Sequence, residues 1–319
     1  MQRARQLTKR ALVRIGRTAL LRPMGRVALR LHELSGRALK AAFAEDMQSP
    51  AQPLDLQGLV EIATIDDAVE RSLLGGKERS PFLVPAIRTV WGYGFRHAAD
   101  EHPWIAHLQG AGSTLEEFYA CYQPADIEQA FRPLAISGQA QEAKVGSPRA
   151  ASMSRTPWIY SERFDVAPQA FKGEETNGRF MGPEHGVQHL GPVSPAKVTA
   201  TAEALSKVRE SLAENGYRSD LGGWIRGFFL VHDKEFVFLV VGGQHRAAAW
   251  ASLGNDTIPV TFQPGYPRLV DTNQLDGGHR SVALFYFNAS YREARRQFLH
   301  RLNLVSDGSA AGPTSRSRT

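Results

Sequence analysis

The chain has 319 residues, 42% of them hydrophobic and 22% charged, a composition typical of a globular protein with one or two domains. It contains a single cysteine, Cys121, which excludes an intramolecular disulfide framework and a cysteine-rich metal site. Of the formal net charge of +6, residues 1–40 carry eleven Arg or Lys and one acid, so the remainder is net negative and lacks the basic surplus of a DNA-binding domain.

Residues 1–47 are predicted to form a basic amphipathic arm. Apolar residues recur at helical spacings over 13–34 and arginines line other faces, with Pro23 interrupting the helix. Such an arm suits an anionic membrane surface or an acidic partner; the alternatives are a helix docked on the chain's own body and an Arg-rich transit peptide. No run of about 18 apolar residues occurs, so no segment is predicted to span a membrane.

Residues 54–132 are predicted to form a helical or mixed region, which follows a polar linker at 48–53. A short strand is expected at Leu59–Ala63 before a helix, and aromatic-rich segments are expected at Arg88–His97 and Leu115–Tyr122. His97, His102 and His107 are five residues apart, a spacing that does not stack them on one helix face. No metal site is therefore predicted from them.

Residues 133–186 are predicted to be an irregular linker that ends as a wall of a binding site. Small and polar residues dominate 133–157, and Gly, Pro and charged residues dominate the stretch after it. Irregular chain before a ligand-binding core often supplies part of the site. Glu184 and His185 are our candidates for acid–base work, because phosphoryl transfer needs a base and usually a carboxylate for Mg²⁺. An ordinary loop carboxylate is the alternative for Glu184.

The most informative pattern is a strand–turn–strand–glycine–helix–strand sequence at 224–262. Two short apolar runs flank a polar turn, two glycines follow, and an Ala-rich helix leads to a third apolar run. The predicted elements are strands at Ile225–Val231 and Phe236–Val241, a helix from His245 to Leu253 with Gly254 as its C-cap, and a strand at Thr257–Phe262.

The junction between the second strand and the helix is predicted to bind an anion. Gly242 and Gly243 let the backbone approach a ligand, and the helix N-terminus offers unpaired N–H donors with a partial positive charge. Arg246 adds a permanent cation, and His245 adds a donor that can also move a proton. Together these features favour a phosphate. The alternative is that the glycines form only a turn and that Arg246 is a solvated helix residue.

The stretch VVGGQHRAAAWASLGNDTIPV resembles the ParB/sulfiredoxin superfamily, whose signature is a strand, a glycine turn with His-Arg, an Ala-rich helix, Leu-Gly and an Ile-Pro-Val strand. The resemblance implies an α+β domain at 187–304 with a mixed sheet and helices, which binds a nucleotide's phosphates at the glycine turn. It implies a nucleoside triphosphate, ATP or CTP, with Mg²⁺. It also implies that Lys207 and Ser211, four residues apart on the preceding helix, face the phosphates; the alternative is that both are surface residues.

One departure from the family is Gln244, which stands where sulfiredoxins have their catalytic cysteine. An amide cannot act as a thiolate nucleophile, so sulfinic-acid reduction is not expected, although Gln244 can hydrogen-bond a phosphate. The wider layout is similar to ParB-like proteins encoded beside bacterial surface-polysaccharide genes, through FYACYQP at Phe118–Pro124 and GPVS at Gly191–Ser194. That likeness implies a role in cell-envelope polysaccharide metabolism and a cytoplasmic location, peripheral at the inner membrane where the basic arm binds lipid.

The end of the chain carries a weaker signal. Gly277-Gly278-His279-Arg280 echoes the glycine turn but has no strand directly before it, and we interpret the echo as a coincidence. A basic helix is expected at Ser290–Leu304, and residues 305–319 are polar and predicted to be disordered.

Two classes of function follow from the sequence. The first is an NTP-dependent phosphotransferase or NTPase, with the glycine turn and His245 holding phosphates and Arg246 stabilising charge in the transition state. The second is a non-catalytic ParB-like module, either nucleotide-gated or nucleic-acid-binding. The net negative body and the absence of a helix-turn-helix pattern make nucleic acid the weaker partner.

Overall fold

The fold is taken from a computed structural model that describes residues 54–73, 80–92, 94–98, 101–110, 115–123 and 172–288. The predicted arm at 1–47, the linker at 133–157, the basic helix at 290–304 and the tail at 305–319 lie outside these residues. All described residues except Ser219–Leu221 belong to one compact unit.

The protein is mixed α/β, with one six-stranded mixed sheet and helices. The strands are β1 Phe82–Pro85, β2 Thr89–Val90, β3 Glu174–Thr176, β4 Arg179–Met181, β5 Ile225–His232, β6 Glu235–Gly242, β7 Thr257–Phe262 and β8 Leu269–Asp271. The α-helices are α1 Ile65–Leu73, α2 Pro103–Leu108, α3 Leu115–Cys121, α4 Pro195–Asn215, α5 Ser219–Gly222, α6 Gln244–Ser252 and α7 Gly277–Asn288.

The sheet has the order β1-β7-β5-β6-β2, and β8 also pairs with β5. The β5–β6 and β1–β7 pairs are antiparallel, whereas β7 and β8 run parallel to β5 and β2 runs parallel to β6. Strands β3 and β4 form a separate two-stranded hairpin. Strands from the predicted N-terminal region, β1 and β2, therefore share a sheet with strands from the predicted C-terminal domain.

The predicted hairpin at the centre of the sheet is confirmed as β5 and β6. Both strands are apolar along most of their length because they are buried in the middle of the sheet, where Phe228, Phe229, Phe238 and Leu239 have no exposed surface. The turn is two residues, Asp233 and Lys234, and Asp233 adopts a positive φ of 51°. Asp is one of the few residue types that accept this conformation readily.

The predicted helix and third strand after the glycines are also confirmed. The helix, α6, begins at Gln244, one residue earlier than expected, and Ala247–Ala249 are completely buried. Three consecutive alanines allow α6 to pack closely against both α4 and α2. Strand β7 spans Thr257–Phe262, the range that the sequence predicts.

Other predictions require correction. The expected strand Leu59–Ala63 forms only one bridge, from Glu61 to Leu83, because the neighbouring residues find no partner strand. The helix that the resemblance implies for Lys207 and Ser211 is the long helix α4, which begins well before them at Pro195. Within the predicted irregular wall, residues 174–181 form the hairpin β3–β4.

Candidate anion-binding pocket

A pocket of about 400 Å³ lies at the junction of β6 and α6. Its lining includes all five residues of the predicted glycine turn, so the structure brings together the part of the site that the sequence predicts most strongly. The lining residues are Gln188, His189, Val208, Val241, Gly242, Gly243, Gln244, His245 and Arg246.

The glycine turn presents unused backbone donors to this pocket. Gly243 is left-handed, with φ 77° and ψ 27°, and it precedes α6 without a side-chain cap. Among the described residues, none accepts a hydrogen bond from the backbone N–H of Gly243, Gln244, His245 or Arg246, and the first bond of the helix runs from Ala247 N–H to the Gly243 carbonyl. Unpaired donors at the positive end of a helix are an arrangement that favours an anion.

The echo motif provides a comparison within the same chain. At α7 the Asp276 side chain accepts from the His279 N–H (2.9 Å) and its carbonyl accepts from the Arg280 N–H (2.8 Å). Asp276 also lies 2.7 Å from the His279 ring Nδ1. The N-terminus of α7 is therefore capped by its own aspartate, which agrees with interpreting the echo as a coincidence, whereas α6 has no such cap.

The Arg246 guanidinium turns back over the chain that leads into β5. It donates through both terminal nitrogens, to the carbonyl oxygens of Gly222 and Gly223. Gly222 leaves room for this contact, since a Cβ there would overlap the guanidinium. Burial raises the pKa of Tyr217, and the nearby Arg246 charge opposes that increase. Arg246 therefore closes one side of the pocket, with donor capacity remaining on a group that carries five N–H bonds.

The Gln244 side chain is oriented by the aromatic core. Its Oε1 accepts from the Trp91 indole Nε1 at 2.7 Å, and its Nε2 lies 3.5 Å from the Val240 carbonyl. The side-chain acceptor of Gln244 is thus already used by a buried tryptophan. The long Nε2 contact is weak, so this amide nitrogen remains the group that can donate to a ligand.

His245 carries a polar atom that the protein does not satisfy. Its ring lies 4.7 Å from the Trp104 ring, and its Nε2 is inaccessible and has no hydrogen-bond partner among the described residues. Burial lowers the pKa of His245 to about 4, and the charge of Lys197 acts in the same direction. His245 is therefore a neutral imidazole at pH 7, although an anion in the pocket would favour its protonated form.

Two further histidines extend this buried group. The rings of His97 and His102 are 4.8 Å apart, and both residues are completely buried. Burial lowers the pKa of His97 to about 4, opposed by its bond to the Thr89 carbonyl, and it lowers the pKa of His102, assisted by His97 and His245. Residues five apart do not stack on one helix face, yet two of these three histidine rings lie next to each other in the fold.

Gln188 and His189 form another wall of the pocket. They lie in a turn that is closed by the bridge between Val187 and Leu190. The Gln188 N–H donates to Glu174 Oε1 (2.6 Å), and the Gln188 carbonyl accepts from the Tyr119 hydroxyl (2.8 Å). The main chain of this turn is therefore held from both sides.

A buried ion pair supports that wall. Lys197 has no exposed surface, and its Nζ lies 2.7 Å from Glu174 Oε1, the same oxygen that receives the Gln188 N–H. Lys197 also donates to Thr176 Oγ1 at 2.7 Å, so it ties α4 to the β3–β4 hairpin. Removing one member of such a pair leaves a buried charge without its partner.

The remaining predicted site residues lie outside the lining of this pocket. The His185 Nδ1 pairs with Ser194 Oγ (2.7 Å) at the start of α4, and Glu184 is 70% exposed. Lys207 is exposed and donates to Asn177 Oδ1 at 3.0 Å, and Ser211 is also absent from the lining. The α4 residue that does line the pocket is Val208, which lies three positions before Ser211 and therefore on the same side of the helix.

Sequence reasoning missed Gln188, His189, Val208 and Val241 as lining residues. Tertiary packing brings the first three to the turn, and no motif signals them. Val241 directly precedes Gly242 and could have been included from its position alone.

Among the described residues, no group of three or more His, Cys, Asp or Glu side chains is arranged to hold a metal ion. No helix formed by those residues is long and apolar enough to cross a membrane. Comparison with known proteins gives no match to a family model, a curated protein or a solved structure.

Proposed function

We propose that this protein is a ParB/sulfiredoxin-like nucleotide-binding protein, and that the glycine turn holds the phosphates of ATP or CTP. The single observation that carries the proposal is the set of backbone donors at Gly243–Arg246, which face a pocket and have no acceptor among the described residues. A phosphate would satisfy several of them at once, and the helix end would favour its charge.

Two more observations support an anionic ligand. The Nε2 of His245 is buried without a partner, and a buried unpaired donor or acceptor costs about 1–3 kcal/mol that a ligand could recover. The Arg246 guanidinium lies at the same turn and can shift one donor from a glycine carbonyl to a phosphate. The order of hairpin, glycines, buried alanine helix and parallel strand also agrees with the resemblance in the sequence.

The lining residues favour nucleotide binding without catalysis. None of the nine is a carboxylate, so a metal-holding or proton-accepting carboxylate would have to come from elsewhere in the chain. Mg²⁺ would then be held by the nucleotide's own phosphates. A phosphotransferase or NTPase remains the second candidate, because His245 places a neutral imidazole beside the turn.

The setting at the cytoplasmic face of the cell envelope, and a role in polysaccharide metabolism, are proposals that rest on the sequence. The basic arm at 1–40 would supply the contact with an anionic surface, and its residues lie outside the described part of the chain. Co-sedimentation of the full chain with anionic vesicles, compared with a chain lacking residues 1–45, tests this contact.

The experiment for nucleotide binding compares two arginines of similar local sequence. Arg246→Ala should weaken ATP and CTP binding at least tenfold by calorimetry, because it removes a cation at the phosphates. Arg280→Ala, in the capped echo motif, should bind as the wild type does. Failure of the wild type to bind either nucleotide, or equal affinities in all three proteins, would remove the proposal. Phosphate release at saturating ATP or CTP separates binding from the NTPase alternative.

A further inference from the structure

Gln188 has an unpaired side-chain oxygen, whereas its main-chain groups are hydrogen-bonded. Its backbone N–H and carbonyl are both bonded, to Glu174 and to Tyr119. Its side-chain Oε1 is inaccessible to solvent and accepts no hydrogen bond from any described residue, although Gln188 lines the pocket. A buried amide oxygen without a partner is uncommon in folded proteins and calls for a ligand or a water.

The main chain of Gln188 is held in place by two buried side chains, Lys197 through Glu174 and Tyr119 directly. Glu174 Oε1 bridges the Gln188 N–H and the Nζ of Lys197, which has no exposed surface. Tyr119, which donates to the Gln188 carbonyl, is 2% exposed. A main chain fixed by a buried ion pair and a buried phenol, carrying an unpaired amide, is the arrangement expected of a ligand-selecting group.

The rest of the lining separates into two chemical parts. The glycine turn offers donors and positive charge, which suit phosphates. The other four residues are two valines, a histidine and Gln188, and a lining that combines apolar side chains, an aromatic ring and an amide suits the nucleoside part of a nucleotide. The amide oxygen needs a donor, and phosphates at neutral pH provide none.

We propose that the Gln188 side chain turns into the pocket that it lines when a nucleotide binds and selects the ligand there, by accepting a hydrogen bond from a donor on the nucleoside, either an exocyclic amine of the base or a ribose hydroxyl. This inference rests on the proposed nucleotide function and adds to it that the protein distinguishes nucleosides through Gln188. Lys197 and Glu174 act as positioning residues because they hold the backbone and do not contact the ligand.

The test uses a ligand that has the phosphates but no nucleoside. Affinities of the full chain for inorganic tripolyphosphate, ATP, CTP, UTP and dCTP are measured by calorimetry in the wild type. The wild type should bind at least one ribonucleotide about tenfold more tightly than tripolyphosphate. A preference for CTP over UTP identifies the amine as the donor, and a preference for CTP over dCTP identifies the 2′-hydroxyl.

Gln188→Met keeps the length of the side chain and removes the amide, and Gln274→Met makes the same change at an exposed site. We expect Gln188→Met to lower nucleotide affinity to that of tripolyphosphate and to leave tripolyphosphate binding unchanged. Gln274→Met should behave as the wild type.

The failures of the two proposals are distinguishable. Unchanged nucleotide affinity in Gln188→Met, or equal wild-type affinity for tripolyphosphate and all four nucleotides, would overturn the role of Gln188 while leaving phosphate binding intact. Absence of binding to every probe would overturn the proposed function itself. The wild-type comparison does not depend on the variant's folding, so the inference stays testable if Gln188→Met unfolds.

Discussion

A methyl group added at Gly243, in the glycine turn, should lower the free energy of unfolding more than the same change at Gly254. Gly243 has a φ of 77°, and a Cβ added there would lie 3.0 Å from Ile225 Cα and 3.1 Å from the Trp224 carbonyl oxygen. Gly254, at the other end of α6, has a φ of 88° and would have nothing within 4 Å of an added Cβ. Both substitutions by Ala carry the left-handed penalty, about 1–2 kcal/mol, but only the first crowds a neighbouring strand.

The expected loss of stability follows from that difference. Ile225 belongs to β5, which is paired with β6 and β7, so its backbone cannot easily move away. Overpacking of this kind typically adds about 1–3 kcal/mol, which gives about 2–5 kcal/mol for Gly243→Ala against about 1–2 kcal/mol for Gly254→Ala. The gain from a stiffer unfolded chain is the same in both and cancels in the comparison.

Urea unfolding of the wild type and both variants measures these losses. The slope with denaturant should stay the same in all three, so that the midpoints report stability. Equal losses in the two variants, or a neutral Gly243→Ala, would refute the close approach of the turn to β5 and with it the shape of the pocket. If the turn holds phosphates, Gly243→Ala should also weaken ATP binding, and Gly254→Ala should not.

Two more predictions concern the surroundings of the pocket. Gly222→Ala should displace the Arg246 guanidinium and weaken nucleotide binding about as much as Arg246→Ala. Gly223→Ala has open space for its Cβ but carries the left-handed penalty of a φ of 77°, so it should lower stability without displacing Arg246 and should weaken binding less; calorimetry that finds equal affinities in the two variants would contradict this. Burial lowers the pKa of His97 to about 4 from about 6.5, so the unfolded chain binds an extra proton between these values and stability falls as the pH drops through them, by on the order of 3 kcal/mol below pH 4. Urea midpoints at about pH 7 and about pH 5 should show a smaller fall in His97→Gln than in the wild type, and an identical fall would contradict the assignment.

The elements that the sequence predicts correctly are those whose signals are local. Strands β5 and β6 are apolar runs interrupted by a polar turn, and α6 follows two glycines. Strand β1 was missed because it is short, directly follows Pro81, ends at Pro85, and exists by pairing with β7, which begins at Thr257, far from β1 in the chain. Its signal lies in the partner strand, which no local window contains.

Some missed elements did carry usable signals. Ser194 caps α4 and Pro195 occupies its first turn, the pairing of residues that marks a helix start. Asn177-Gly178 joins β3 to β4, and both residues have positive φ, as a tight hairpin turn requires. The irregular composition around these residues concealed both signals.

The site was predicted where its geometry is a property of consecutive residues, and was not predicted where several elements meet. Residues 242–246 line the pocket because a strand, a turn and a helix fix their positions. On α4 the resemblance implies Lys207 and Ser211, and the residue that lines the pocket is Val208, three positions before Ser211 and on the same side of the helix. A motif can therefore identify a helix and one of its sides and still leave undetermined which side chain reaches the pocket.

The two helices that begin near Gly-Gly and His-Arg explain why the motif alone is weak evidence. At α7, Asp276 caps the helix and pairs with the His279 ring, so the donors that would attract an anion are already occupied. At α6 the N-cap is a left-handed glycine, and the chain lacks a side-chain cap that would contribute about 1 kcal/mol.

Replacing Gly243 by Asp would combine backbone strain with an internal carboxylate at the N–H donors of α6. If ligand phosphates use the same N–H groups, the carboxylate of Gly243→Asp should exclude ATP more completely than Gly243→Ala does. Equal nucleotide affinities in the two variants would mean that the open helix end is not where the phosphates bind.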